Sequence, residues 1–232
     1  MVNADPLETR VKILVLAGHH VRELLPYREC ADVMREALTE LAAGRLQQPL
    51  RTIVRPRDAA GFMALMPAYG PDPGYGLYGL KAICISPGNP ALGKDAHQGG
   101  VLLFAADTGE PLALVNASAV TEIRTAAVSA VATGLLARPE AAELAIIGTG
   151  VQGRAHAHAV AATRPLTGIR IAGRDLARAR GVAARAVIKV ARPASASPSS
   201  LARAWRYRST ERRTAARSAV SIMSVLVRPA SE

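Results

Sequence analysis

Three glycines in G-x-G-x-x-G spacing, Gly148, Gly150 and Gly153, are the residues whose types and spacing most directly suggest chemistry. They follow a short apolar run at residues 144–147, which we expect to be a strand buried on both faces, and they precede an alanine-rich stretch typical of a helix. In such a turn the first glycine permits the tight bend, the second lets a pyrophosphate approach the backbone, and the third lets helix and strand pack closely. The pattern predicts a dinucleotide-binding turn; the alternative is a purely structural strand–turn–helix.

The next predicted strand spans residues 168–172. Two residues shortly after it, Arg174 and Asp175, bear on which dinucleotide would bind. Sites that prefer NAD place an acidic residue there to accept a hydrogen bond from the ribose 2′-hydroxyl. Arg174 is the first side chain in that position, and it could pair with a 2′-phosphate. The sequence therefore favours NADP(H) over NAD(H), although a shift of one residue would place Asp175 there and reverse the preference.

Three cationic residues lie at positions where a positive charge requires a structural or functional reason. Lys81 lies among apolar residues in a predicted strand at 79–86, where burial would lower its pKa and suit acid–base chemistry, unless the side chain faces water. Arg124 falls in the first turn of a predicted helix capped by Thr121, a position that suits a cation only if an anionic ligand pairs with it, the alternative being an arginine that points to solvent. Arg51 lies in an alternating strand at 49–55.

Several short patterns occur together in one order along the chain. A T-x-x-R-T-A-A motif is followed by a predicted strand and then by a G-x-G-x-Q motif. The residues of the first motif are Thr121, Arg124, Thr125, Ala126 and Ala127, and those of the second are Gly148, Gly150 and Gln152. P-x-R, a lysine strand followed by P-x-N-P, and a hairpin turn with Thr-Gly occur upstream. The combination resembles the ornithine cyclodeaminase/mu-crystallin family over roughly the first three quarters of the chain.

The resemblance implies roles for individual residues. Arg51, Lys81 and Arg124 match the positions that hold a substrate carboxylate, and Lys81 is the candidate catalytic residue. The candidate cofactor-binding residues are Gly148, Thr149, Gly150, Val151, Gln152, Gly153, Thr125 and Arg174. The residues predict no metal site, because His19 and His20 are adjacent and His156 and His158 lie two apart on a helix, so neither pair shares a helix face.

The implied activity is an NAD(P)-dependent reaction of amino-acid metabolism on a small amino acid or cyclic imine. It resembles ornithine cyclodeaminase, which converts ornithine to proline and ammonia by internal hydride transfer. The alternatives are a ketimine or imine reductase or an amino-acid dehydrogenase of the same family, and a non-catalytic, mu-crystallin-like binder of nucleotide or ligand. Family resemblance also implies a homodimer formed through the first, sheet-rich domain.

The elements that must position these residues divide the chain into three parts. Residues 1–120 are expected to form a sheet-rich α/β domain that binds substrate and dimerises. They contain predicted strands at 11–16, 49–55, 61–68 and 79–86, a hairpin at 101–107 and 111–116, and helices at 19–25 and 27–43. Residues 121–185 are expected to form an incomplete Rossmann-type NAD(P)-binding domain, and residues 186–232 a basic, poorly ordered tail. The fold class is therefore α/β.

The tail carries almost all of the net charge of +11. Its composition shifts to Arg, Ala, Ser and Pro, which suggests that the coding sequence is truncated or frameshifted after about residue 185. Such an alteration could leave the chain inactive. A basic arm that binds nucleic acid, with Trp205 and Tyr207 between arginines, is the less favoured interpretation. Some of residues 200–227 could be helical.

The remaining composition suits a cytoplasmic protein. Half of the 232 residues are hydrophobic, and the start of the chain lacks the residue order of a signal peptide. We found no apolar run approaching a membrane span, so no membrane partner is expected. Cys30 and Cys84 are isolated and are expected to be reduced thiols.

Overall fold

The computed structural model describes residues 12–72 and 75–190. It contains a six-stranded sheet and a two-stranded sheet with five α-helices. The strands of the larger sheet are β1 (Leu14–Leu16), β2 (Thr52–Val54), β3 (Phe62–Asp72), β4 (Tyr75–Ile85), β5 (His97–Ala105) and β6 (Pro111–Asn116). The smaller sheet pairs β7 (Glu143–Ile147) with β8 (Gly168–Ala172). The helices are α1 (Gly18–Leu24), α2 (Tyr27–Ala42), α3 (Ala117–Leu136), α4 (Val151–Thr163) and α5 (Leu176–Val190).

The larger sheet runs in the order β1-β6-β5-β4-β3-β2. All neighbours are antiparallel except β1 and β6, which are parallel and are separated in the chain by α1, α2 and four further strands. Side chains alternate between the two faces of the sheet, and one face packs against α1, α2 and α3 to form the main apolar core. The predicted hairpin and strands are present, but β3 and β4 extend farther than predicted and β2 is shorter than residues 49–55.

Helix α3 lies at the centre of the fold and begins earlier than predicted. Asn116 is its N-cap, with a side-chain oxygen that accepts a hydrogen bond from the Ala119 N–H at 2.9 Å. The predicted Thr121 cap and first-turn position of Arg124 are therefore wrong: the small residues after Asn116 extend the helix, and Arg124 closes its second turn.

Two faces of α3 bury against different partners. One face packs on the larger sheet, and the other places Ala126 and Ala130 against Ala155 and Ala159 of α4. Gly134, which is four residues after Ala130, is exposed and lies outside this contact. Helix α3 is long and apolar enough to cross a membrane by length and composition alone, which the sequence analysis did not predict. In this fold α3 is the central packed helix.

The strand–turn–helix unit forms as predicted, with β7, α4 and the parallel strand β8 in order. Burial of β7 differs from the prediction, since its residues alternate between half-buried and exposed, and Ile147 is 94% exposed. Leu144 and Ile169 pack toward α4, whereas the opposite face of this two-stranded sheet has no covering layer within residues 12–72 and 75–190. The expected helix at 200–227 and the arginine–aromatic cluster lie outside the described residues.

Candidate functional site

Lys81 lies on the helix-facing side of β4 and is 3% exposed. Its Nζ donates a hydrogen bond of 2.8 Å to Thr121 Oγ1 in the second turn of α3. Burial, together with the positive charges of Arg124 and Arg51, lowers the pKa of Lys81 to about 7. The alternative that this lysine faces water is therefore wrong.

Arg124 projects from α3 into the same region and is 6% exposed. Its Nε and Nη1 atoms are buried and have no hydrogen-bond partner among the described residues. Burial lowers the pKa of Arg124 to about 10, and Arg51 acts in the same direction. A buried guanidinium with two unused donors is costly unless a ligand accepts from them, and a planar carboxylate matches its fork geometry.

Arg51 lies immediately before β2 on the exposed surface. Its positive charge lowers the pKa of both Lys81 and Arg124, which places it within electrostatic reach of the two buried cations. The structure thus brings together the three cations that the sequence places 30 and 43 residues apart. Their convergence creates a positively charged region where the sheet meets α3, which we call the cationic pocket.

Two further polar groups of this pocket were missed by the sequence reasoning. His97, the first residue of β5, has a buried Nδ1 without a partner among the described residues. Burial lowers the pKa of His97, and the charge of Lys81 acts in the same direction. Ser118, in the first turn of α3, donates a side-chain hydrogen bond to the His97 backbone carbonyl. Only the pairing register of β4 and β5 could have revealed this position.

The glycine turn has the geometry that its spacing predicts. Gly148 has a φ of 124°, which favours glycine. A Cβ on Gly153 would lie 2.3 Å from the Gly148 carbonyl oxygen, so this glycine is required for the close approach of α4 to β7. A Cβ on Gly150 would meet nothing within 4 Å, which leaves open space above the backbone.

The start of α4 is suited to an anion. Gly150 is the N-cap and supplies no side-chain cap, so the first N–H groups of α4 face the turn without a competing side chain. A cavity of about 750 Å³ adjoins the turn. It is lined by Ile147, Gly148, Thr149, Gly150, Ala172, Gly173, Arg174, Asp175 and Arg178. These features fit the pyrophosphate and adenosine portion of a dinucleotide.

Arg174 and Asp175 both line this cavity, but they differ in the hydrogen bonds that they make to the protein. Asp175 Oδ1 accepts a hydrogen bond of 3.0 Å from the Arg178 N–H and so caps α5. Arg174 is exposed at the cavity rim, and Arg178 adds a second cation beside it. One carboxylate oxygen of Asp175 therefore has a structural partner, and two basic residues, Arg174 and Arg178, line the cavity beside it.

Helix α3 joins the cationic pocket to the glycine turn. Gln152 Nε2 donates to the Thr121 carbonyl oxygen at 3.5 Å, while Gln152 Oε1 and Thr125 Oγ1 are buried without partners among the described residues. Farther along, Ser129 Oγ and His156 Nε2 are 2.9 Å apart, and His156 Nδ1 lies 2.7 Å from the Gln152 carbonyl oxygen. The two candidate binding regions are thus fixed to a common helix.

A family model matches residues 11–204, and it describes the ornithine cyclodeaminase/mu-crystallin family. The chain belongs to this family. The match continues beyond residue 185, where the sequence analysis placed the end of the resemblance. Both the cationic pocket and the glycine turn lie within the matched range.

Individual relatives include reductases and a cyclodeaminase. A Δ1-pyrroline-2-carboxylate reductase of Bacillus cereus is 36% identical over 182 residues, which cover 78% of this chain and 55% of the relative. The structure of the Thermococcus litoralis Δ1-pyrroline-2-carboxylate reductase with NADH and L-proline has a TM-score of 0.71 and 31% identity, covering 77% of this chain and 55% of that one. A lysine cyclodeaminase structure has a TM-score of 0.62 and 32% identity, covering 76% and 54%. The chain therefore spans about half the length of these relatives.

The buried Lys81 makes this family member's stability depend on pH. Because its folded pKa is about 7, below the ordinary lysine value of 10.5, the unfolded chain binds more protons between these pH values. The destabilising contribution of Lys81 is therefore complete below pH 7 and fades as pH rises toward 10.5. We expect the melting temperature of the wild type to rise relative to that of Lys81→Met between about pH 6.5 and 8.5 in calorimetry.

The upper bound of this pH range avoids an opposing effect. Burial raises the pKa of the Cys30 thiol to about 12, so ionisation of that thiol in the unfolded chain reduces stability at higher pH. The Lys81→Met variant retains Cys30, and its pH profile is the matched control. Parallel profiles for the two proteins would show that Lys81 is not buried as a titrating group.

Proposed function

We propose that this chain carries the substrate-binding region and part of the cofactor-binding region of an NAD(P)H-dependent reductase of cyclic imine carboxylates. The observation that carries the proposal is the buried Arg124, which has two unpartnered donors among the described residues and lies within electrostatic reach of Lys81. Its helix α3 also contacts Gln152, which lies within the G-x-G-x-x-G motif. The reductases among the relatives support this activity over the cyclodeaminase reaction that the sequence reasoning placed first.

Each residue has a defined task in this proposal. Arg124 forms the bidentate contact with the substrate carboxylate, and Arg51 adds positive charge at the exposed side of the pocket. Lys81 either contributes to this clamp or donates a proton, for which a pKa of about 7 is suited at neutral pH. Thr121 orients the Lys81 ammonium through its hydroxyl.

The cofactor would lie against the glycine turn. The N–H groups at the start of α4 would bind its pyrophosphate, Gly150 would leave room for it, and Arg174 would contact the adenosine ribose. A bound nicotinamide supplies the hydride. Helix α3 holds the carboxylate clamp at a fixed distance from this turn, because Gln152 and the alanine seam connect it to α4.

The direct test is oxidation of NADPH or NADH by the purified chain, followed at 340 nm with Δ1-pyrroline-2-carboxylate as substrate. We expect imine-dependent oxidation, and a parallel assay of ammonia release from ornithine or lysine tests the second candidate, a cyclodeaminase, which the lysine cyclodeaminase match supports. Nucleotide binding without either reaction would identify a non-catalytic binder. Absence of both carboxylate binding and nucleotide binding would reject the proposal.

We further propose that NADP(H) binds more tightly than NAD(H). Arg174 and Arg178 line the cavity, and Asp175, which lines it too, uses one carboxylate oxygen to cap α5. In Arg174→Ser the affinity for NADPH should fall about tenfold, as expected when one charged contact to a phosphate is lost, while the affinity for NADH should change less than twofold. Fluorescence titration of both nucleotides measures this ratio. Equal losses for the two nucleotides would contradict a 2′-phosphate contact.

We also propose a homodimer formed through the face of the larger sheet opposite the helices. Val15, Met63, Tyr78 and Leu114 lie on that face and are 39–62% exposed, which leaves a broad apolar surface on adjacent strands. Leu114→Lys should convert a dimer to a monomer in light scattering coupled to gel filtration. Leu136→Lys changes an exposed leucine at the end of α3 and should leave the dimer intact. A monomeric wild type would contradict the proposal.

A further inference from the structure

His97 lies on the same side of the larger sheet as Lys81. Directly opposed residues of antiparallel strands project to the same face, and Lys81 pairs with Val101 while Ile85 pairs with His97. Since Lys81 and Ile85 are four residues apart on β4, they share a face, and so do Val101 and His97. The imidazole is therefore on the face that α3 covers.

The backbone at His97 is anchored to the same helix as the buried cations. Ser118 Oγ donates to the His97 carbonyl oxygen, and Thr121 Oγ1 accepts from Lys81 Nζ one turn farther along α3. Arg124 lies three residues after Thr121, on the same side of the helix. Along α3 from its start, the contact with His97 therefore comes first, the contact with Lys81 second and Arg124 third.

The pocket contains mostly hydrogen-bond donors. Arginine and protonated lysine side chains donate and cannot accept, so Arg51, Lys81 and Arg124 in their charged forms can bind a carboxylate but offer no acceptor to an N–H group of a ligand. A neutral imidazole keeps one ring nitrogen as an acceptor. His97 Nδ1 is buried and has no partner among the described residues, and the adjacent positive charges favour the neutral form.

We infer that His97 is a substrate-contacting residue that accepts a hydrogen bond from the ring nitrogen of a cyclic imine or of the cyclic amino acid formed from it. This inference rests on the proposed function, because it assumes that the carboxylate binds at Lys81 and Arg124. His97 would select ligands with a protonated ring nitrogen over carbocyclic carboxylates of the same shape. It thereby supplies the specificity that the cations cannot provide.

The test compares two ligands of one shape by ligand-observed NMR titration of the full chain. L-Proline has a ring N–H group, and cyclopentanecarboxylate has a methylene group in its place. We expect the wild type to bind L-proline about tenfold more tightly, a ratio typical of one hydrogen bond to a charged group. In His97→Leu this ratio should fall to about one through loss of proline affinity alone, because the carboxylate clamp is retained.

A conservative variant and a clamp variant complete the design. In His97→Asn the side-chain oxygen lies near the position of Nδ1, so part of the preference for proline should return. Equal weakening of both ligands in His97→Leu, or an unchanged ratio, would overturn the inference while leaving the proposed function intact. Arg124→Leu should weaken both ligands together, and if it weakens neither, the proposed carboxylate site and the inference both fail.

Discussion

Arg124→Leu should lower kcat/KM for the cyclic imine by about 1.5 to 3.5 orders of magnitude, which corresponds to about 2–5 kcal/mol of lost binding to a buried charged group. Arg124 is 6% exposed, and its Nε and Nη1 donors have no protein acceptor among the described residues. A substrate carboxylate would accept from these donors, and Lys81, the other buried cation, lacks the planar guanidinium fork. Steady-state kinetics of NAD(P)H oxidation measure the loss.

The same substitution should not reduce folding stability. Leucine removes a buried charge that lies close to Lys81 and Arg51, so the melting temperature is expected to stay unchanged or to rise by a few degrees. Arg138→Leu is the matched control, because Arg138 is 85% exposed just beyond the end of α3 and should affect neither activity nor stability. A large fall in melting temperature for Arg124→Leu would show a structural role instead.

Gly153→Ala should disrupt the nucleotide-binding turn. The added Cβ would lie 2.3 Å from the Gly148 carbonyl oxygen, so α4 must move away from β7. We expect a loss of about 1–3 kcal/mol of stability, as for overpacking in a tightly packed region, and a fall of at least about tenfold in nucleotide affinity. Thermal denaturation with and without NADPH, together with fluorescence titration, measures the two effects.

Two other glycines separate packing from ligand binding. Gly150 and Gly134 both have open space where a Cβ would be. Gly150→Ala should leave the stability of the nucleotide-free protein within about 0.5 kcal/mol but weaken nucleotide binding, because the methyl group would occupy the approach of the pyrophosphate. Gly134→Ala, within α3, should stabilise the helix by up to about 1 kcal/mol without altering affinity. Identical nucleotide affinity in Gly150→Ala and the wild type would place the ligand elsewhere.

The site could be predicted where its chemistry is local in the sequence. The order of β7, the glycine turn and α4 follows from an apolar run, glycine spacing and an alanine-rich helix, and the structure contains these elements at nearly the predicted positions. The paired strands β5 and β6 follow equally from alternation and turn residues. Each of these signals comes from neighbouring residues, and so a single sequence expresses it.

Positions that depend on packing could not be predicted in the same way. The start of α3 was misplaced because Asn116 ends a strand and caps a helix at once, whereas Thr121 has equal capping propensity by itself. The burial of β7 was overestimated because an apolar run predicts a strand but does not show whether one or both faces of its sheet are covered by other elements. His97 was missed because its relation to Lys81 depends on the pairing register of β4 and β5.

The sequence by itself determined the α/β class, the glycine turn and the identities of the cations, since these depend on residue type and local spacing. Only the tertiary structure decided that Lys81 and Arg124 are buried together, that Asp175 caps α5, and that α3 connects both binding regions. The physical reason is that burial removes water from these charges. The resulting change in pKa and the unmet need for hydrogen-bond acceptors depend on atoms that are distant along the chain.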